Sequence, residues 1–350
     1  MVGFPGPELG PDFEALIDDG VFGAILFKRN IGSPAETAAL CRTIKARAKT
    51  PFVLAVDQEG GRVARLRGAP FAALPSMREL GRWGDAALAE RFGRLLAFEL
   101  RAVGFDWDFA PVLDVDTNPA NPVIGDRALH REASQVARLG VALAKGMESD
   151  GVASCAKHFP GHGDTTQDSH LTLPRLPHDL ERLRRVELVP FGAYAKAGLA
   201  AVMTAHVVFE AVDAGTPATM SRAAMSVLRS ELGFDGVVVS DDLQMKAIAD
   251  HYSIEEAAIL GALAGVDAFL VCHGTESQRR AIEGLVKAVE KGRLPRDRVR
   301  QANRRIDALV ARFARPAQDR LAELGSSEHQ ELAAGFAAIE AGSDPTEAPS

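Results

Sequence analysis

The chain has 350 residues, enough for one large domain or two ordinary ones, and its 47% hydrophobic and 25% charged residues exclude a disordered, collagen-like or coiled-coil protein. A net charge of -7 without a basic block excludes nucleic acid as a partner, because phosphate binding needs clustered Lys and Arg. No apolar run approaches membrane-spanning length, the amino terminus is broken by Pro5 and Pro7 and has no positive segment, and Cys41, Cys155 and Cys272 each sit in apolar runs as free thiols would; the expected location is the cytoplasm.

Short, nearly continuous apolar runs predict strands at 1–3, 23–27, 52–56, 105–109, 152–156, 201–205, 236–240 and 268–271. Such runs suit parallel strands buried on both faces. Ala- and Leu-rich stretches of helical period lie between them. Ser33-Pro-Ala-Glu36 and Ser253-Ile-Glu-Glu256 read as capping boxes, with Pro34 at a favoured first helical position. Gly104, Gly151 and Gly233 stand where a left-handed residue ends a helix. This alternation predicts an α/β protein, a single-domain TIM (β/α)8 barrel over residues 1–315. Residues 316–350 are expected to form an extension with a helix around 333–341 and then a frayed tail.

In such a barrel the reacting groups come from the C-terminal ends of strands. That rule selects Asp57, Lys157 with His158, Thr204 with His206, and Asp241 with Asp242. The passage from Lys157 to His170 is too polar and Gly-rich for a strand and reads as a long mobile loop holding His158, His162 and His170. Asp168 is close enough to accept a hydrogen bond from His170, and an imidazole with an ordinary pKa of about 6.5 can act as acid and then as base. Asp241 directly follows its strand and suits attack on an anomeric carbon, whereas Asp242 is expected to turn toward the strand's flank or the next helix.

The segments Lys157-His-Phe-Pro-Gly-His-Gly with Asp168-Ser-His170, Asp57-Gln-Glu-Gly-Gly-Arg-Val, Ile124-Gly-Asp-Arg127 and Ser240-Asp-Asp-Leu-Gln-Met245 occur in an order that resembles the family 3 β-N-acetylhexosaminidases of peptidoglycan recycling. The resemblance spans roughly residues 1–315. It implies a TIM barrel with Asp241 as nucleophile and His170 as acid/base, paired with Asp168. It further implies that Asp57, Arg65, Arg127, Lys157 and His158 hold the hydroxyls of the non-reducing sugar, and His206 is placed with them as a substrate-binding residue. The implied substrate is N-acetylglucosamine linked β-1,4 to 1,6-anhydro-N-acetylmuramic acid, with or without its peptide. No cofactor, metal or protein partner is implied. Gln244 stands where many relatives have Ser.

Other readings attach to the same residues. Asp241 could cap a helix starting near Leu243. Lys157 could form a Schiff base, or His158, His162, His170, His206 and Asp241 could ligate a metal in an amidohydrolase, although no His-x-His follows the first strand. Phosphate could replace water as acceptor, making a phosphorylase, and the substrate's own N-acetyl group could replace the enzyme nucleophile. Glu59 and Asp242 could serve structural roles as well as chemical ones.

Overall fold

The structure, a computed structural model, describes residues 1–169, 171–316 and 320–336. Its strands are β1 (Gly23–Leu26), β2 (Val53–Val56), β3 (Trp107–Asp108), β4 (Cys155–Phe159), β5 (Arg175–Leu176), β6 (Ala201–Thr204), β7 (Val208–Phe209), β8 (Val237–Asp242) and β9 (Ala268–Leu270). The α-helices are α1 (Pro11–Asp18), α2 (Pro34–Arg47), α3 (Met77–Trp83), α4 (Ala86–Val103), α5 (Ala133–Ser149), α6 (Leu180–Arg185), α7 (Leu188–Lys196), α8 (Arg222–Ser226), α9 (Lys246–Ala249), α10 (Ile254–Ala264), α11 (Thr275–Glu290), α12 (Arg296–Phe313) and α13 (Ser327–Ala333).

The fold is α/β with parallel sheets. One set pairs in the order β1-β2-β3 and another in the order β4-β6-β8-β9, all parallel. Isolated parallel bridges join Trp107 to Ala153 and Val112 to Lys157, and Val2 bridges both Ala24 and Val271. The run predicted at 1–3 is thus present only as the Val2 bridges. A small parallel pair, β5 with β7, was not foreseen.

Both faces of the strands are buried, which explains their unbroken hydrophobicity. In β2, Leu54 and Val56 join the large core beneath the helices, while Val53 and Ala55 point to a second core with Ile25, Trp107, Phe109, Met203 and Val239. Leu309 and Phe313 of α12 belong to that second core and close it near the strand starts. The polar groups are left to the opposite ends.

The predicted strand at 152–156 lies three residues later, at Cys155–Phe159. Lys157 and His158 therefore lie within β4 rather than after it. The strand runs on through these polar residues because both side chains meet buried carboxylates.

Helix ends follow their local chemistry. Ser33 Oγ accepts from Glu36 N at 3.3 Å while Ser33 N donates to Glu36 Oε2 at 2.7 Å, completing a capping box. Ser253 makes only half of one: it accepts from Glu256 N, but the Glu256 carboxylate binds Arg293 instead. The last helix among the described residues is Ser327–Ala333, capped by Ser326, and the chain turns at Gly335 with φ of 80°, so no helix runs through residues 334–336 of the expected 333–341 stretch. Residues 337–341 lie outside the described residues. The helix docks on α4 through His329, whose Nε2 donates to Glu99 at 2.8 Å. All three cysteines are buried and free, and among the described residues no helix is long and apolar enough to cross a membrane.

Helices α4 and α5 approach at backbone distance. A Cβ on Gly93 would lie 2.0 Å from Leu143 O, and one on Gly146 would lie 2.0 Å from Glu90 O. Gly192, inside α7, would meet only Leu232 Cδ2 at an ordinary 3.5 Å. Gly93→Ala should therefore lower unfolding free energy in urea by about 2–3 kcal/mol through overpacking. Gly192→Ala should raise it by about 0.5–1 kcal/mol through helix propensity.

Candidate active site

The C-terminal ends of the strands carry the polar groups. Asp57 follows β2, Lys157 and His158 lie in β4, His206 follows β6, and Asp241 and Asp242 end β8. Gln58 shapes the loop after β2: its Oε1 accepts from Arg65 N and Leu66 N at 2.6 and 3.0 Å, and its Nε2 donates to Leu66 O. That fold brings Arg65 Nη2 to 3.7 Å from Asp57 Oδ2.

Lys157 Nζ donates to Asp57 Oδ1 at 2.8 Å and lies 2.6 Å from Glu59 Oε1. Arg127, in the turn Gly125–Arg127, grips Glu59 with two bonds of 2.8 and 2.7 Å. These side chains are almost wholly buried. Burial opposes ionisation of Glu59, but Arg127 and Lys157 outweigh it and hold the carboxyl below its ordinary range. Burial likewise opposes charge on Lys157, and Asp57 and Glu59 hold it protonated. A permanently charged ammonium is no nucleophile, which removes the basis of the Schiff-base reading. Beneath them, burial pushes the Asp108 carboxyl well above its ordinary range while its Oδ1 accepts from Gln58 N.

Asp114 organises the next part of the rim. Its Oδ2 takes His158 Nδ1 at 2.7 Å, and its Oδ1 accepts from the backbone N of His158 at 3.3 Å and of His162 at 2.6 Å. Burial disfavours its charge, yet His158 holds it below the usual value. With Nδ1 bound to Asp114, Nε2 is the remaining polar atom of the His158 ring.

The start of the loop after β4 is tied down. His162 bonds Thr165 Oγ1 through Nδ1 at 2.9 Å and Ser169 Oγ through Nε2 at 3.0 Å. Asn121 donates to His162 O and Gly163 O, and Thr117 donates to Asp164 Oδ1. Burial pushes His162 down to about 4, so it is neutral at pH 7 and unable to act as the acid. Asp168 is half-buried, and its carbonyl accepts from Leu171 N and Thr172 N at 3.0 Å. His170 lies outside the described residues.

On β8, the Asp242 carboxylate turns to the flank as expected, accepting from Gln244 N and Cys272 N. Asp241 Oδ1 accepts from Asp242 N at 2.8 Å. The following helix starts at Lys246 with Met245 at its cap, so Asp241 caps no helix there. Gln244, the departure noted in the sequence, makes two bonds to the His273 backbone. His206 bonds Thr219 Oγ1 through Nδ1 at 2.8 Å and donates from Nε2 to Asp242 O at 3.0 Å. Both ring nitrogens of His162 and His206 are therefore engaged, and among the described residues no group of three or more His, Cys, Asp or Glu side chains could hold a metal.

Asp57, Arg65, Arg127 and Lys157 thus meet in one network, with His158 beside Lys157 on β4; Asp241 and His206 stand on the β6–β8 side. Glu59 proves to be the hub of that network. Asp114 and Thr219 escaped the sequence reading. Asp114 was accessible in principle, since Pro-Val-Leu-Asp114 follows β3 as the other rim residues follow their strands.

A parallel α/β scaffold with this rim belongs to a known family: the model of the glycosyl hydrolase family 3 N terminal domain matches residues 10–309, and the chain is a member, a glycoside hydrolase. Among its relatives, a β-hexosaminidase of Thiobacillus denitrificans is 46% identical over 284 residues, 79% of this chain and 78% of that protein. NagZ from Neisseria gonorrhoeae, solved with N-trifluoroacetyl-D-glucosamine, superposes with a TM-score of 0.80 at 35% identity, covering 95% of each chain. A family 3 β-N-acetylglucosaminidase from Paenibacillus gives a TM-score of 0.90 at 42% identity over 95% of this chain, which spans only 65% of that one.

Glu59→Gln, by leaving Arg127 and Lys157 short of a charge, should cost about 3–5 kcal/mol of unfolding free energy at pH 7. Because the Glu59 carboxyl is held low, its contribution is complete above about pH 4.3 and is lost as pH falls further; the variant's urea midpoint should converge on wild type in acid. Asp242 shows the opposite sign. Burial and the Asp241 charge push it from 3.8 up to about 6, so ionising it weakens the fold as pH rises between those values. Asp242→Asn, which can still accept both N–H groups, should raise Tm at pH 7.5 and leave it unchanged at pH 3.5.

Proposed function

We propose that the chain is an exo-acting retaining β-N-acetylglucosaminidase that releases terminal β-1,4-linked N-acetylglucosamine from 1,6-anhydro-N-acetylmuramic acid muropeptides in the cytoplasm. The observation that carries this reading is the buried network of Asp57, Glu59, Lys157 and Arg127 at the same strand ends as His158 and Asp241. A sugar ring presents hydroxyls that donate and accept, and this rim offers fixed carboxylates and fixed cations for both. The names of the relatives support the sugar; the fixed rim supports binding it in one orientation.

In this reading Asp241 attacks the anomeric carbon and forms a glycosyl-aspartate, while His170 protonates the departing oxygen. His170 then takes a proton from water, which attacks the same carbon and frees Asp241. Asp168 orients His170. Asp57, Arg65, Arg127, Lys157 and His158 hold the hydroxyls, and His206 acts through the Asp242 carbonyl it binds. The Val2 and Trp107–Ala153 bridges support a strand ring closed into a TIM barrel, and we take residues 1–315 as the catalytic domain with 316–350 as its extension.

Release of nitrophenol from 4-nitrophenyl N-acetyl-β-glucosaminide and from the matching β-glucoside tests this, with wild type, Asp241→Ala and His170→Ala in buffer with chelator. The N-acetyl substrate should be preferred, and Asp241→Ala should lower kcat/KM on the order of 10³-fold or more. Undiminished turnover in Asp241→Ala removes the nucleophile assignment, and no turnover in wild type removes the substrate class. Phosphate should not accelerate turnover or yield sugar 1-phosphate.

A further inference from the structure

Strand β8 carries Asp241 and Asp242 side by side, and its ladder is irregular there. Val239 pairs with Ala268 and Asp242 with Leu270, three steps along β8 against two along β9. One extra residue in a strand is a bulge, which re-aims the side chains around it. Asp241 Oδ1 accepts from Asp242 N at 2.8 Å, so the first carboxylate folds back over the amide of the second residue. Asp242 is itself held from several sides. Its Oδ1 accepts from Gln244 N at 3.1 Å and from Cys272 N at 3.3 Å, and its carbonyl accepts from His206 Nε2 at 3.0 Å. Both ends of the Gln244 side chain bond the His273 backbone, which ties this corner to the end of β9.

None of these bonds calls for a charge, because an Asn side chain would offer the same oxygen to both N–H groups. The charge is a burden on the fold instead. Burial and the Asp241 charge push the Asp242 carboxyl up to about 6, so at pH 7 it is ionised against both. From β9 the Cys272 thiol bonds the carboxylate and favours its charge, and from β6 His206 meets only the carbonyl. Arg29, in the turn after β1, reaches this corner at the Cys272 carbonyl. Among the described residues no Lys or Arg pairs with Asp242. A carboxylate whose hydrogen bonds an amide could make, and whose charge weakens the fold, needs another reason for that charge. Asp241 supplies one, because coupling between two neighbouring carboxyls is mutual.

We propose that ionised Asp242 is a positioning residue for the nucleophilic step, its negative charge destabilising the adjacent Asp241 anion and favouring positive charge at the anomeric carbon. This rests on the glycosidase reading above and deepens it. In that step an Asp241 oxygen lone pair forms the bond to the anomeric carbon, the glycosidic C–O bond breaks, and its electron pair leaves on the oxygen that takes the His170 proton. Asp241 loses its negative charge in the ester. Repulsion from Asp242 is therefore relieved on the way to the transition state, where positive charge grows on the sugar.

The test is kcat/KM for 4-nitrophenyl N-acetyl-β-glucosaminide from about pH 4.5 to 8 in wild type, Asp242→Asn and Cys272→Ala, with Tm for each. Asp242→Asn should lower the neutral plateau about tenfold while raising Tm, and should move the acidic limb to lower pH, since Asp241 then titrates without a charged neighbour. Cys272→Ala removes a bond to the ionised form and should move the limb the opposite way, by about half a pH unit. A plateau unchanged in Asp242→Asn overturns the proposal. If that variant is less stable than wild type, Cys272→Ala decides: a limb that rises supports the charge, and one that stays in place overturns it. Asp241→Ala keeps the two readings apart. Its inactivity beside an active wild type upholds the glycosidase reading whatever Asp242→Asn does, and full activity in it removes the nucleophile and this proposal together.

Discussion

The rest of the rim depends on the buried ion network around Glu59. Removing two carboxylates and two cations from water is costly for each alone, and the cost is offset only when all are mutually paired with good geometry. Here the pairing is spread across chain-distant pieces: Asp57 and Glu59 after β2, Arg127 in the turn beyond β3, and Lys157 in β4. The network therefore acts as a clamp between strand ends. It also sets hydrogen-bonding groups in place before any ligand arrives, which lowers the reorganisation that binding would otherwise require.

Asp114 extends the same logic to the loop after β4. One carboxylate holds the His158 ring, the His158 amide and the His162 amide. The group that orients the His158 imidazole is thus the group that starts the loop. Further along, Ala247 N donates to Ser169 O, so the loop is tied at that point to the helix after β8. The loop's root is thus shared with the rim, and Ser169 further along it touches the element that follows Asp241.

The alternation of apolar runs and capped helices was legible because burial on both strand faces leaves a continuous hydrophobic trace, and seven of the strands fall within three residues of their predicted places. The trace fails where polar residues are satisfied inside. Lys157 and His158 looked like the end of β4, since an unpaired charge cannot remain in a strand's interior, and nothing local discloses that Asp57, Glu59 and Asp114 await them. The weight of Glu59 was hidden for the same reason: a ladder spanning residues 59, 127 and 157 has no sequence period. Motif resemblance brought Arg65 and Arg127 forward where spacing could not. The β5–β7 pair was invisible because two-residue strands carry no pattern.

On the reading proposed above the proton carrier for this rim comes from a loop, and these commitments favour that arrangement. Glu59, Lys157 and Arg127 are locked in their charged forms, and Asp114 is held ionised by its own hydrogen bonds. His162 is held neutral, and His206 has both nitrogens bound. A group that gives and then takes a proton at neutral pH needs neither state to be strongly preferred; Glu59, Lys157 and His162 each strongly prefer one, and Asp242, pushed up to about 6, is turned to the flank onto Gln244 N and Cys272 N. A residue carried in from the less buried stretch of the loop avoids that constraint. Asp168 is only half-buried there, in contrast to the buried His162 and Ser169 on either side of it. On the proposed reading the division follows from dielectric environment: buried strand ends supply fixed charge, and the loop supplies the group whose charge must change.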